Sequence, residues 1–258
     1  MGAERGGSVQ LSVVVPAFNE AQRIAPSLER VLAYLDGQRI DGEVLVVDDG
    51  SSDDTAAIAA RVLRGRPGRV VRDAENRGKG HAVRRGVLEA RGRWVLMTDA
   101  DLSSPIEEHG KLALAAREQD LDIVIGSRGL TGSVIEVRQH RVREVMGRTF
   151  NLCVRTITGL PFRDTQCGFK LLDRRRTRPL FERMIVDRFA FDAELLFLAM
   201  RFGLRVDEVP VVWRNDDRST VSVLRDPMNM LWDLVRVRWR FRRGLYNPDA
   251  PVAPVADG

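Results

Sequence analysis

Trp94-Val95-Leu96-Met97-Thr98-Asp99-Ala100-Asp101 decides how this chain is read. A short apolar run such as Trp94 to Met97 reads as a buried parallel strand. The two carboxylates that follow, one residue apart, then stand at the carboxyl end of that strand, where open α/β sheets bind their ligands. Like charges at this spacing repel unless a cation lies between them, and hard oxygen ligands suit Mg²⁺ or Mn²⁺. A divalent ion there is expected to hold a diphosphate. The competing reading is a helix-capping aspartate beside a surface aspartate.

Outward from this segment the chain alternates strand and helix patterns. Leu11 to Val15 is an expected strand closed by Pro16, and Asn19 to Leu35 has helical spacing through Ile24, Leu28, Val31, Leu32 and Leu35. Val44 to Val47 is a second strand, ending in Asp48-Asp49-Gly50-Ser51-Ser52. Ser52 reads as an N-cap, with Asp53 and Asp54 in the first turn of a helix to Leu63. A strand at Arg69 to Val71 precedes Asn76-Arg77-Gly78-Lys79-Gly80 and a helix from His81 to Ala90. Ser104-Pro105-Ile106-Glu107 is a capping box opening a helix to about Glu118, and Asp122 to Gly126 is a fifth strand. This succession predicts a mostly parallel, doubly wound sheet of Rossmann-like type flanked by helices. Past Gly129 the pattern loosens. Thr131 to Glu136 reads as a flexible loop, Arg138 to Ile157 as a helix and Val209 to Trp213 as a late strand.

The length of 258 residues suits one large α/β domain, and 44% hydrophobic with 30% charged residues is ordinary for a globular protein. The net charge of +5 rests on arginine, since Lys79, Lys111 and Lys170 are the only lysines. Arginine favours bidentate contact with phosphate, so an anionic ligand or surface is expected. Cys153 and Cys167 are too few for a disulfide framework, which points to a reducing compartment. Met1 to Gln10 lacks the apolar core of a signal peptide, and no run of about 18 apolar residues occurs.

Three expected strand ends carry polar residues and converge on one crevice. Their sequences, Val15-Pro16-Ala17-Phe18-Asn19-Glu20, Val47-Asp48-Asp49-Gly50-Ser51-Ser52-Asp53 and Asp99-Ala100-Asp101-Leu102-Ser103, together with Asn76 to Gly80, resemble the inverting, nucleotide-sugar-dependent family 2 glycosyltransferases of the GT-A fold. Gly126-Ser127-Arg128, Asp164 to Lys170 and Phe191-Asp192-Ala193-Glu194 are similar to segments of the dolichyl- and polyprenyl-phosphate sugar synthases within that family. The resemblance spans about Ser8 to Arg243. Gln166-Cys167-Gly168-Phe169-Lys170 looks closest to the branch using UDP-glucose, with the GDP-mannose branch kept open.

The resemblance implies roles for individual residues. Pro16, Ala17, Phe18, Glu20 and Asp48 belong to the nucleoside site, Asp49 supports it or reaches the ribose, and Lys79 lies in the loop lining the donor pocket. Asp99 and Asp101 bind the metal, with Ala100 between them. Arg128 grips the acceptor phosphate, joined by Arg143 and Arg148 (Arg141 able to take either part), while Asp164 and Asp192 order sugar or acceptor loop. The implied cofactor is Mg²⁺ or Mn²⁺; the implied partners are a nucleotide-sugar donor, a polyprenyl-phosphate acceptor and a membrane surface. Self-association stays open. Because the acceptor phosphate is already anionic, orientation and electrostatics suffice without a strong base. Cys167 reads as a small packed residue, and His81, His109 and His140 show no metal-ligand spacing.

The C-terminal stretch adds a second clue. Asp226 as N-cap, Pro227 at the first helical position and Gly244 as stop delimit about 25 Å of helix at ~1.5 Å per residue. Leu224, Met228, Leu231, Val235 and Trp239 share one face, flanked by Leu234 and Trp232; Arg236, Arg240 and Arg243 form one basic stripe, Arg238 and Arg242 another. Such a helix lies in a membrane interface; the alternative packs it on the domain. The expected organisation is a GT-A domain over 8–222, an amphipathic helix over 223–245 and a disordered tail over 246–258. The expected location is cytoplasmic, peripheral on the inner face of the cell membrane. A soluble small acceptor is the main rival. Nucleic-acid binding is not expected, because a crevice lined with carboxylates repels a polyanion.

Overall fold

The structure is a computed structural model that describes residues 9–137, 141–214 and 225–247, with the backbone alone at 137, 141–146, 148 and 225–227. Its strands are β1 (Leu11–Ala17), β2 (Gly42–Asp48), β3 (Gly68–Arg72), β4 (Trp94–Met97), β5 (Ile123–Ser127), β6 (Val134–Val137), β7 (Lys170–Asp173), β8 (Val206–Pro210) and β9 (Val212–Arg214). Its helices are α1 (Ile24–Gly37), α2 (Thr55–Val62), α3 (Lys79–Glu89), α4 (His109–Glu118), α5 (Arg141–Thr158), α6 (Arg174–Arg183), α7 (Phe191–Arg201) and α8 (Arg225–Arg242).

Seven strands form one sheet in the order β3-β2-β1-β4-β7-β5-β8. Every neighbouring pair is parallel except the two made by β7, which runs antiparallel between β4 and β5. The doubly wound, mostly parallel GT-A type sheet expected from the sequence is therefore present. The continuous apolar runs of β1, β2 and β4 are buried on both faces, as central parallel strands require. Ile24, Leu28, Val31, Leu32 and Leu35 are the buried face of α1, each stabilising the fold by roughly 1.5–3 kcal/mol through burial.

Several local expectations are corrected. Thr131 to Glu136 is not wholly loop: β6 pairs in parallel with β9 as a separate two-stranded sheet, with Ile135 opposite Trp213. The single late strand at 209–213 is two. β8 stays on β5, and past Pro210 the Val211 N–H bonds Ser127 O at 3.3 Å, after which β9 turns to β6. Ser52 does not cap α2; the Asp53 carboxylate takes the Thr55 N–H at 3.0 Å, while Ser52 bonds Asn19 Oδ1. The capping box at Ser104 does not form; the Glu107 carboxylate is engaged by Arg30 through bonds of 3.1 and 2.8 Å. A 3-10 turn over Ile106–Glu108 leads into α4 instead. The first helix starts at Ile24 rather than Asn19: Asn19 is left-handed at φ 56°, and Arg23, just before the helix, is non-helical at φ −130°.

The C-terminal helix both packs and exposes apolar surface. Met230, Leu234 and Val237 are buried, α8 lies against α5 and α7, and Phe241 meets Phe197 edge-on at 5.3 Å. Arg238 donates to Ile157 O at 2.5 Å, so that arginine pins the helix. Met228, Trp232, Val235 and Trp239 face outward, with Trp232 71% and Met228 68% exposed. Arg240 departs from the expected basic stripe and lies over the Tyr246 ring at 6.0 Å. Tyr246, assigned to the tail, is buried. The helix begins at Arg225, so Asp226 and Pro227 fall in its first turn. Leu224, His140 and the remainder of the tail over 248–258 lie outside the described residues. Among those described, no helix is long and apolar enough to cross a membrane.

Candidate active site

The carboxyl ends of β1, β2, β4 and β5 point to one rim, and the chain enters β7 from the same side. Backbone bonds lock this rim: Asp49 N–H donates to Ala17 O at 2.9 Å and Thr98 N–H to Val14 O at 3.1 Å. Asn19 N–H donates to Ser51 Oγ at 2.9 Å and Glu20 N–H to Thr55 Oγ1 at 2.7 Å, tying the first two loops together. Ala17 is buried behind this tie, Pro16 is partly buried and Phe18 is exposed at the mouth. The Glu20 carboxylate is taken by Arg23, whose Nη2 donates to Oε1 at 2.8 Å.

Asp48 is fully buried, with Arg72 Nε 3.2 Å from Oδ2. Asp49 holds the next loop in place by accepting the Arg77 and Gly78 N–H groups, each at 2.8 Å. Gly78 is required by its φ of +116°, and a Cβ there would lie 2.5 Å from Asp187 O. Burial pushes the Asp49 carboxyl up, against the pull of those two N–H donors. From the same loop Lys79 Nζ reaches Asp99 Oδ1 at 2.5 Å. The 76–80 loop thus bridges the second strand end to the third.

The Asp99 and Asp101 carboxyls are shifted in opposite directions. Burial raises Asp99, but Lys79, Lys170 and Arg128 outweigh it and hold the carboxyl below its usual range. Asp101 is pushed up by burial and then by the Asp99 charge, only partly relieved by the Ser103 N–H at 2.8 Å. Gly168 packs directly on Asp99: a Cβ there would stand 2.8 Å from Asp99 Cγ. Lys170 is wholly buried and pairs with Asp192, so the carboxylate expected to order the sugar is already committed. Burial raises the Asp192 carboxyl in spite of that lysine.

Beside these groups lies a cavity of about 200 Å³ whose walls include Thr98, Asp99, Ser103, Arg128, Gln166 and Trp213. The Thr98 hydroxyl and the Gln166 amide nitrogen are buried without hydrogen-bond partners among the described residues. Arg128 reaches it from the end of β5. Its Nε and Nη2 donate to Asp164 at 2.6 and 2.9 Å, its N–H donates to the same carboxylate at 3.0 Å, and its guanidinium stacks 5.3 Å from the Trp213 ring. Burial raises Asp164, but Arg128 prevails and holds it below the carboxylate range. Asp164 is itself placed by Glu208, which accepts the Arg163 and Asp164 N–H groups at 2.7 and 2.8 Å.

The structure therefore gathers Asp48, Asp49, Lys79, Asp99, Ala100, Asp101, Arg128 and Asp192 at one rim. Arg143 and Arg148 fall on α5, but their side chains lie outside the described residues. Lys170, Gln166 and Trp213 were missed as site residues. The first two sit in the Gln166-Cys167-Gly168-Phe169-Lys170 segment that signalled the resemblance; Trp213 gave no signal beyond ending an apolar run. Cys167 is packed as expected, its thiol pushed up to about 11 by burial. His109 is buried against the Tyr34 hydroxyl at 3.0 Å and lowered to about 4 by burial.

Asp99 and Asp101 supply two hard carboxylates, and the charge of one raises the other, the strain a divalent cation relieves. Among the described residues no group of three or more His, Cys, Asp or Glu is placed to hold a metal. Two carboxylates would suit an ion that takes its remaining ligands from water and phosphate oxygens, as Mg²⁺ does.

Residues 12–187 match Glycosyl transferase family 2. The chain is 33% identical over 251 residues, 93% of its length and 77% of the relative's, to a dolichyl-phosphate beta-glucosyltransferase of Dictyostelium discoideum. It is 38% identical over 258 residues, 94% of its length and 78% of the relative's, to a dolichyl-phosphate beta-glucosyltransferase of Drosophila melanogaster. Its fold superposes on Mycobacterium tuberculosis glucosyl-3-phosphoglycerate synthase, crystallised with Mn²⁺ and UDP-glucose, with a TM-score of 0.62 at 23% identity, covering 91% of this chain and 79% of that one.

Proposed function

From a chain that belongs to glycosyl transferase family 2 and is a glycosyltransferase, we propose transfer of glucose from UDP-glucose to a polyprenyl or dolichyl phosphate, with inversion to a β-linked lipid-phosphate sugar. The observation that carries this reading is the placement of Arg128 beside Asp99 in one cavity. A cation able to grip an acceptor phosphate there stands next to the carboxylates that would receive a donor diphosphate.

In this reading the rim from Pro16 to Glu20, with Asp48 and Asp49, takes the nucleoside, and the Asp49-anchored loop carries Lys79 to the donor. Asp99 and Asp101, flanking Ala100, would hold Mg²⁺ or Mn²⁺. Bound there, such an ion would supply Lewis-acid stabilisation of the charge on the departing nucleotide. Arg128 trades one anion for another: the incoming phosphate competes with Asp164 for the guanidinium fork, which is planar and bidentate and suits either. Trp213 keeps the guanidinium plane fixed during the exchange. An anionic phosphate needs no base to attack, which agrees with Asp192 being tied to Lys170 rather than free. Catalysis then rests on holding the nucleophile in line and excluding water.

The lipid acceptor requires a membrane surface, and the outward stripe of Met228, Trp232, Val235 and Trp239 with Arg236, Arg242 and Arg243 exposed beside it has the composition of an interfacial helix. We place the protein on the cytoplasmic face of the membrane, attached through α8. The test is transfer of radiolabel from UDP-glucose to polyprenyl phosphate with Mg²⁺ or Mn²⁺. Label passing only from GDP-mannose would move the assignment to the mannosyl branch, and label passing only to soluble 3-phosphoglycerate would overturn the lipid acceptor.

A further inference from the structure

Glu194 is a fully buried carboxylate that the transfer reaction does not use. It lies on α7 two residues after Asp192, and its four contacts are all donors. Ile185 N–H reaches Oε1 at 3.0 Å and Oε2 at 3.2 Å, Val186 N–H reaches Oε2 at 2.9 Å, and the Tyr246 hydroxyl donates to Oε1 at 2.6 Å. The first two donors belong to the 185–188 segment between α6 and α7. Tyr246 comes from the far end of the chain, just past α8, with its ring buried beneath Arg240.

The 185–188 segment is the floor of the donor loop. His81 N–H donates to Asp187 O at 3.0 Å. A Cβ at Gly78 would come within 2.5 Å of Asp187 O, and one at Gly80 within 2.5 Å of Val186 O, so the loop rests on this floor with no room for a side chain. On its other side the loop gives Arg77 and Gly78 N–H to Asp49 and Lys79 to Asp99. An unbroken series of contacts therefore runs from Tyr246 through Glu194 and residues 185–187 to Gly78, Lys79 and His81.

We propose that Tyr246 and Glu194 form a latch by which the C-terminal segment sets the position of the donor loop, making both positioning residues for nucleotide-sugar binding. The proposal rests on the donor-site reading above. Its physical basis is that residues 185 and 186 have a side-chain anchor in Glu194, and Glu194 has one side-chain donor from outside its own neighbourhood, the Tyr246 hydroxyl. Releasing the hydroxyl leaves a buried carboxylate one donor short, and the floor relaxes to compensate.

The experiment compares full-length wild type with Tyr246→Phe, which keeps the ring and removes only the hydroxyl. UDP-glucose affinity is measured by calorimetry with Mn²⁺, and amide exchange is followed over residues 76–90. The expected result is a donor Kd raised about three- to tenfold, with faster exchange at His81 and an unchanged KM for the lipid phosphate. Unchanged donor affinity and unchanged exchange would overturn the latch, as would equal losses in donor and acceptor use. Should Tyr246→Phe fail to fold, Glu194→Gln provides the second variant: its single amide oxygen still accepts from the Ile185 and Val186 N–H groups, but its –NH₂ stands where the Tyr246 hydroxyl donated, so that bond as it stands is lost. A donor-selective loss supports the latch, and a uniform loss or none refutes it. Wild type that binds no UDP-glucose would instead refute the donor assignment itself.

Discussion

Arg128→Ala separates acceptor binding from donor binding, and the structure sets the size of both effects. The substitution removes two charged hydrogen bonds from Asp164, at 2.6 and 2.9 Å. Such bonds contribute about 1.5–3 kcal/mol each, but the Arg128 and Gln166 N–H groups stay on Asp164 and the freed carboxyl can take up a proton. A stability loss of about 2–3 kcal/mol is expected, lowering Tm by roughly 4–10 °C. The pH dependence carries a definite sign. Asp164 is held low in the folded protein, so its ion pair contributes fully at neutral pH and is lost as pH falls through that depressed value. The Tm gap between wild type and variant should therefore be widest near pH 7 and close below about pH 4. Function is read separately, by calorimetry with UDP-glucose and by transfer rate against polyprenyl-phosphate concentration. Loss of the phosphate's charge partner should cost acceptor-dependent kcat/KM about ten- to a hundredfold, with donor affinity within about twofold of wild type. A fall in UDP-glucose affinity as steep as the fall in acceptor use would refute the division of labour and place Arg128 in the donor site.

Asp101→Ala should abolish turnover and Mn²⁺-dependent UDP binding with the Tm preserved, and wild-type binding should weaken on acidification at a pH above that of an ordinary carboxylate, because burial and Asp99 raise Asp101; calorimetry across a pH series checks both. Glu194 is pushed up to about 7 by burial, so its proton stabilises the folded state below about pH 4.5 and this contribution is lost as pH rises through 7. Glu194→Gln removes that titration, and its stability relative to wild type should improve by up to about 3 kcal/mol between those limits, read by urea unfolding at each pH. Replacing Arg236, Arg242 and Arg243 by Gln should weaken sedimentation with anionic vesicles by up to ~3 kcal/mol at low salt, whereas Trp232→Ala should weaken it with little salt dependence. Equal pelleting of all variants would leave α8 a purely structural helix.

The sheet and its rim were legible because parallel strands buried on both faces leave continuous apolar runs, and their polar ends follow directly in sequence. The β1, β2 and β4 segments needed no tertiary information. Lys170 to Asp173 was unreadable as a strand: it is four residues long, begins with a lysine and ends with an aspartate, and only the fold shows that Lys170 is buried on Asp192. The same limit hid the occupation of the site. Asp99, Arg128 and Asp192 were all named from sequence, but pairing of the first with Lys79 and the second with Asp164 joins residues 20 to 36 positions apart. The C-terminal helix shows how one apolar pattern serves two surfaces. Leu234 and Val237 pack inward while Met228, Trp232, Val235 and Trp239 face out, and periodicity alone does not assign the sides.

The anomeric configuration of the product tests inverting transfer to a lipid phosphate most directly. Incubation of the protein with carbon-labelled UDP-glucose, Mn²⁺ and polyprenyl phosphate, followed by extraction and NMR of the anomeric carbon, reads it in one step. A β-linked glucosyl phosphate on the lipid is the expected signal, absent without polyprenyl phosphate and reduced about ten- to a hundredfold in rate by Arg128→Ala. An α-linked product, or free glucose released with no lipid product, would contradict in-line attack by a phosphate held at Arg128.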